Sequence, residues 1–393
     1  PEEALRALRG APGTVVSFLV ERPGVDEPVP FSVTRREIQF HPVQNALILR
    51  DGVGYVNLVS FSEQSANELR RAVDSLRRAG ARALVVDVRG NPGGLFEQGV
   101  AVTDLFLDPG LKIVETRGRS RDANQTFVDQ APQQFAALPI AVLVDSASAS
   151  AAEIFAGALQ DQDRAVVVGT TSYGKGSAQS VFPLSGGGAI KLTTALWYTP
   201  LGRSITRPRA ALREDDEGET SSFVADTSRA RATFRTRGGR TIYGGGGVAP
   251  DLTVPADTPS SDERALERAL GKRIPEFRQV VSAYARSLRG RRDVASPDFA
   301  VTPAMRDELY DAMRRRGIVV ERPIYDAAAA PVSEMLGYEA ARVLFGRRAE
   351  FRRRLAADQG VAVAVNLVTG ATSQGQVFER VTARQRRAPP TSR

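Results

Sequence analysis

Up to Ser260, apolar residues come in short continuous runs separated by polar or glycine-rich breaks. Beyond it they recur at helical spacing. The runs Gly54–Phe61, Ala83–Val88, Ile140–Val144 and Ala165–Val168 are too short for helices and have the length of strands, the later three apolar enough to be buried on both faces. Gln64–Ala79 alternates with the amphipathic period of a helix, and Glu153–Gln160 reads as the first turns of another. The stretch from Ser177 to Thr199 predicts two strands joined by a glycine turn. Residues 1–37 predict a helix, a turn at Ala11–Gly13 and two strands. After Ser261 the spacing predicts helices over Glu263–Leu270, Pro275–Leu288, Pro303–Arg316 and Ala327–Arg354, without strands, as in a separate helical domain. The polar interval Pro208–Gly239, with its EDDEGE run, predicts a solvated insertion, and the tail after Arg384 predicts disorder. No internal repeat or heptad pattern is present.

A chain of 393 residues exceeds one ordinary core, so two or three domains are expected. The formal charge of +8 would suit a nucleic-acid partner, but the arginines are scattered. The densest run, Arg347–Arg354, fits the solvated face of a helix, so nucleic acid is not expected. No apolar run has the length of a membrane span. The chain opens on Pro1 inside a helical pattern and is expected to be a fragment or processed form, so a missing targeting segment says nothing of destination.

The candidate chemistry lies between Ala141 and Ser180. Cysteine is absent, which removes a thiolate nucleophile, and the single histidine, His41, lies far upstream. A serine hydroxyl still needs a base, and a lysine amine serves when its surroundings keep it neutral. Arginine cannot take that role. The chain has only four lysines (Lys112, Lys175, Lys191 and Lys272) among 53 basic residues. Lys175 stands between two glycines, downstream of the small-residue cluster Ser146–Ala152. A second glycine cluster, Arg89-Gly90-Asn91-Pro92-Gly93-Gly94, follows the buried run Ala83–Val88. Such glycines let backbone N–H groups approach a ligand closely, and acyl transfer needs donors facing its oxyanion. The same lysine loop also fits Gly-x-x-x-x-Gly-Lys, most of a phosphate-binding loop. Gly176 stands where the magnesium-binding Ser or Thr belongs, however, and strands rather than a helix follow.

SASASAAEIFAGAL, followed by VVVGTTSYGKGSAQ, resembles the core of the carboxy-terminal processing peptidases, or tail-specific proteases. The resemblance implies a Ser–Lys dyad. Ser150, three residues before Glu153, is the nucleophile and Lys175, 25 residues later, the base, with Gln179 orienting the lysine. Ala152 stands where the family usually has serine, and Ser146 and Ser148 are left as packing or turn residues. RGNPGGL resembles the family's DLRxNxGG turn and implies an oxyanion hole from the N–H of Ala151 and that of Gly94, with Gly93 the near alternative. Ala189–Ile205 and Gly244–Val254 resemble the segments that border the family's cleft and close its core; Trp197 and Tyr198 are expected to pack.

The implied fold is α/β: a core of ββα units like the ClpP and crotonase folds, behind a truncated PDZ domain and ahead of a helical C-terminal domain. The expected boundaries are 1–37 for the PDZ remnant and 38–258 for the protease core with its insertion at 208–239. The helical domain then covers 259–357, and residues 358–393 form a C-terminal segment with the disordered tail. The implied function is a serine endopeptidase cutting polypeptides near their C-termini. It needs no metal or organic cofactor, binds substrates through their C-termini, is compatible with an adaptor or activator, and works in the periplasm or another extracytoplasmic space. Two alternatives stay open: a non-enzymatic peptide-binding module on a protease fold, and a crotonase-like acyl-CoA enzyme.

Overall fold

The computed structural model describes residues 2–21, 27–207 and 232–387. The chain divides into two compact units, Pro1–Pro42 and Val43–Arg393. In the first, helix α1 (Glu2–Leu8) precedes an antiparallel pair, β1 (Val15–Val20) and β2 (Val29–Thr34). Arg35 ties these elements together, since its guanidinium donates to the carbonyls of Ala7 and Leu8, each at 2.9 Å, at the open end of α1. Phe18 and Phe31 stack across the pair.

The second unit is built on a six-stranded sheet. Its early elements are β3 (Val43–Ile48), β4 (Val53–Leu58), α2 (Ser65–Arg78), β5 (Ala83–Asp87) and α3 (Phe96–Asp104). Then follow β6 (Lys112–Gly118), β7 (Gln125–Val128), β8 (Ile140–Val144), α4 (Ala151–Asp161) and β9 (Val166–Gly169). A hairpin, β10 (Ser177–Pro183) and β11 (Ala189–Tyr198), comes next, then β12 (Thr233–Arg235), β13 (Thr241–Tyr243) and β14 (Leu252–Thr253). The sheet order is β14-β9-β8-β5-β4-β3, parallel except for the β3–β4 pair. A smaller antiparallel sheet runs β10-β11-β6-β7, as the two-strand pattern with its glycine turn predicted.

Alternation explains why the central strands are apolar throughout. Leu84, Val86, Val142 and Val144 face one core with residues of α2, α3 and α4, while Ala83, Val85, Ala141 and Leu143 face a second. A parallel strand covered on both faces has no polar side to show. The second core is completed from the C-terminal end of the chain. There α10 (Arg347–Ala357) leads into α11 (Gln359–Val368) and α12 (Gln374–Arg387), whose Val361, Val365, Val368 and Val377 pack on the sheet.

The helical region holds a third core, built from α5 (Ser261–Leu270), α6 (Ile274–Ser287), α7 (Pro303–Arg315), α8 (Arg322–Ala327) and α9 (Ala329–Ala340). The long helix expected over Ala327–Arg354 is broken. A π-helical turn at Ala341–Phe345 ends at Gly346, whose φ of 94° no helix continues. The disordered tail expected after Arg384 also differs: Gln385 to Arg387 continue α12, and the Gln385 amide donates to the Asp251 carbonyl at 2.7 Å. Residues 388–393 lie outside the described residues, as does most of the expected insertion, residues 208–231.

Candidate active site

Ser150 ends the turn that leaves β8 and begins α4. Its backbone has φ 55° and ψ −115°, a strained conformation for a residue with a Cβ. The turn is held from within. The Asp145 carboxylate accepts the N–H groups of Ala147 and Ser148, each at 3.0 Å, and the buried Ser148 hydroxyl donates to the Val88 carbonyl at 2.8 Å. Ser148 is therefore a turn residue, as expected, and Ser146 is exposed.

The glycine cluster after β5 lies against this turn. Asp145 accepts the N–H of Gly90 at 2.9 Å, and the Asn91 carbonyl accepts that of Ala149 at 2.9 Å. A Cβ on Gly93 would sit 2.7 Å from the Ala149 carbonyl oxygen and 2.8 Å from the Ser150 Cβ, so only glycine permits this contact. Gly94, at φ 149°, passes so near Phe61 that a Cβ would lie 2.0 Å from its carbonyl oxygen. The two glycines differ as donors. The N–H of Gly93 is taken by Asn91 Oδ1 at 2.8 Å, whereas the Gly94 N–H has no acceptor among the described residues. The N–H of Ala151, in the first turn of α4, has none either. An undonated N–H at a helix N-terminus beside a second one is a place for negative charge.

Glu153 joins this turn to the lysine loop. Its side chain is fully buried. Oε2 accepts the backbone N–H groups of Ser150 and Lys175, each at 2.9 Å, and Oε1 accepts the N–H of Gly174 at 2.7 Å and the Ser172 hydroxyl at 2.5 Å. Burial pushes the Glu153 carboxyl up from its ordinary value, and the four donated hydrogen bonds oppose that rise. In the sequence Glu153 is only a landmark for Ser150. The signal available was a lone carboxylate in an apolar helix start rich in alanine and glycine.

Lys175 is half-buried, and Gln179 is exposed on β10 beside a register shift at Ala178/Gln179. The structure brings the backbones of Ser150 and Lys175 to one carboxylate oxygen. It forms no hydrogen bond from the Lys175 amine to Ser150 or to Gln179 among the described residues. The phosphate-loop alternative fails here because the loop's donors are consumed. Thr170, Ser172, Tyr173, Gly174 and Lys175 give their N–H groups to Val144, Val248, Ser148 and, for the last two, Glu153. A strand follows Lys175, as the sequence predicted. His41 belongs to the amino-terminal unit.

Among the described residues no group of three or more metal-ligating side chains occurs, and no helix is long and apolar enough to cross a membrane.

Fold and site together define an α/β protein with a strained serine at a strand-to-helix turn, packed against a glycine cluster. Residues 52–211 match the model of Peptidase family S41. It is 41% identical over 207 residues to a carboxy-terminal-processing protease of Bartonella bacilliformis, covering 52% of this chain and 47% of the relative. It is 35% identical over 203 residues to the carboxy-terminal processing protease CtpA of Bacillus subtilis, covering 52% and 43%. The chain thus spans about half the length of these relatives. Among solved structures it is similar to a photosystem II D1 C-terminal processing protease, at 25% identity and a TM-score of 0.42, over 67% of this chain and 61% of that one.

Proposed function

We propose that this chain is the protease part of a serine endopeptidase of the carboxy-terminal processing type. The observation that carries the reading is the pair of undonated N–H groups, Ala151 and Gly94, beside a serine held at positive φ. Ser150 Oγ attacks the scissile carbonyl carbon as its proton passes to the Lys175 amine. The carbonyl oxygen becomes an oxyanion held by the two N–H groups, whose loss would each cost about 3 kcal/mol. When the C–N bond breaks, Lys175 returns the proton to the leaving amine, and water then hydrolyses the acyl-enzyme. Gln179 steadies the lysine once the loop closes on substrate, a step that apo geometry commonly leaves open.

The names of the relatives support a polypeptide substrate. The finer parts of the proposal are cleavage near C-termini, a PDZ remnant in residues 1–37, a ClpP- or crotonase-like lineage of the core, an extracytoplasmic location and service by an adaptor. A second reading, a peptide-binding module, is favoured by one observation: the Lys175 amine is not hydrogen-bonded to Ser150.

The test is digestion of an unfolded protein with an apolar C-terminus, read by mass spectrometry, with wild type, Ser150→Ala and Lys175→Ala side by side. Cuts made by wild type and by neither variant are expected. Cleavage surviving Lys175→Ala would remove the lysine from its role. Peptide bound without cleavage by wild type would favour the module.

A further inference from the structure

Arg89 sits at the root of the glycine cluster, between the last residue of β5, Asp87, and Gly90. Its guanidinium is held by two carboxylates far apart in the chain. Nη2 lies 2.6 Å from Asp87 Oδ2 and 2.8 Å from Asp358 Oδ2, while Nη1 donates to Asp358 Oδ1 at 3.2 Å. Asp87 is buried and also accepts the Tyr55 hydroxyl at 2.8 Å and the Arg89 N–H at 3.0 Å. Asp358 is the N-cap of α11 and accepts the Val361 N–H at 2.9 Å. The approach is close enough that a Cβ on Gly360 would sit 3.3 Å from Arg89 Nη1. Behind the turn lies a cavity of about 130 Å³ that Arg89, Asp145, Asp257 and Asp358 help to line.

The site therefore has a support that the protease segment alone does not supply. Residues 52–211 carry the serine, the lysine and the glycine turn; the carboxylate that completes the grip on Arg89 comes from the C-terminal helices. Arg89 is one residue from Gly90, whose N–H is bound to Asp145, and five from Gly94. Without Asp358, the guanidinium keeps Asp87 but loses the partner that fixes its outer edge against α11. The cavity then gives it room to turn and the glycine cluster room to follow.

We propose that Asp358 is a positioning residue for the Gly93–Gly94 turn, acting through Arg89, so that the C-terminal helical layer is part of the functional site. The assignment of the turn to oxyanion binding rests on the reading above; the mechanical coupling does not.

Two variants of the full chain test it. Asp358→Asn keeps an N-cap side chain as good as the original and removes the charge. Gly360→Ala adds a methyl 3.2 Å from Asp358 Oδ1 and 3.3 Å from Arg89 Nη1, wedging the pair, while improving helix propensity. Hydrogen exchange of the segment 88–95 should accelerate about tenfold in Asp358→Asn and by less in Gly360→Ala, with melting temperatures close to wild type. Cleavage by Asp358→Asn should show kcat lowered about tenfold at unchanged KM, since small misplacements of a reacting geometry have costs of this order. Unchanged exchange in both variants would overturn the coupling, whether or not the chain cleaves peptides. Faster exchange with unchanged kcat would leave the coupling and overturn the positioning role. Absence of cleavage by wild type would refute the peptidase reading, and the exchange data would still decide the coupling.

Discussion

One carboxylate oxygen, Glu153 Oε2, holds the backbone of both proposed reacting residues, and the other holds Ser172 and Gly174. Every partner is a donor, because the Ser172 hydroxyl itself accepts the Val248 N–H at 2.7 Å and must give its proton to Glu153. An amide in this position would offer one acceptor oxygen and turn its NH₂ towards N–H groups. Glu153→Gln should therefore leave buried donors unpaired, at about 1–3 kcal/mol for each group, and loosen the serine turn from the lysine loop. The expected outcome is a lower urea midpoint and labelling of Ser150 by a fluorophosphonate slowed by more than about tenfold at a pH where the variant is folded. Labelling at the wild-type rate would mean that Glu153 serves stability alone. Residue chemistry narrowed the candidate nucleophiles and bases to few types, and only the family resemblance made Ser150 and Lys175 legible as candidates. Glu153 as a clamp was not, since its role depends on four backbone and hydroxyl donors that fold around it.

The same division appears among the elements. Strands β5, β8 and β9 were legible because burial on both faces leaves continuous apolar runs. Helices α11 and α12 went unrecognised as a layer because their apolar residues are mostly small valines and alanines, and their partner is a sheet more than a hundred residues away. The junction of α3 with β6 and β7 was also silent in sequence, and it carries a titratable group. Asp129 follows β7 and is 2% exposed, with its backbone paired to Leu111 and Gly110. Burial and then the neighbouring Asp104 push its carboxyl up to about 7. A carboxyl with a raised folded-state pKa contributes stability that is full below its unfolded value near 4 and is lost as pH rises through about 7. Wild type should thus melt at progressively lower temperature from pH 5 to pH 8, and Asp129→Asn should flatten that slope. A slope unchanged by the substitution would assign it to other groups.

At the scale of the whole molecule, the described residues of the second unit form three apolar cores, and two of them touch the sheet that bears the site. The third, within the helical region, is joined to the sheet layer through α10. There Arg353 donates to the carbonyls of Pro297 and Phe299, at 2.9 and 2.8 Å, while Phe351 packs against Tyr55. No residue of this third core contributes a hydrogen bond to the serine turn, the glycine cluster or the lysine loop among the described residues. Stability and chemistry should therefore separate here, a substitution changing the first and leaving the second. Leu309 is fully buried in the third core, so Leu309→Ala should cost about 2–5 kcal/mol. Per active site, counted by fluorophosphonate titration, its kcat should equal that of wild type below the melting transition. A kcat reduced in the folded variant would show that the helical core is mechanically continuous with the site, and the boundary of the functional unit would then extend from the C-terminal layer to the helices before it.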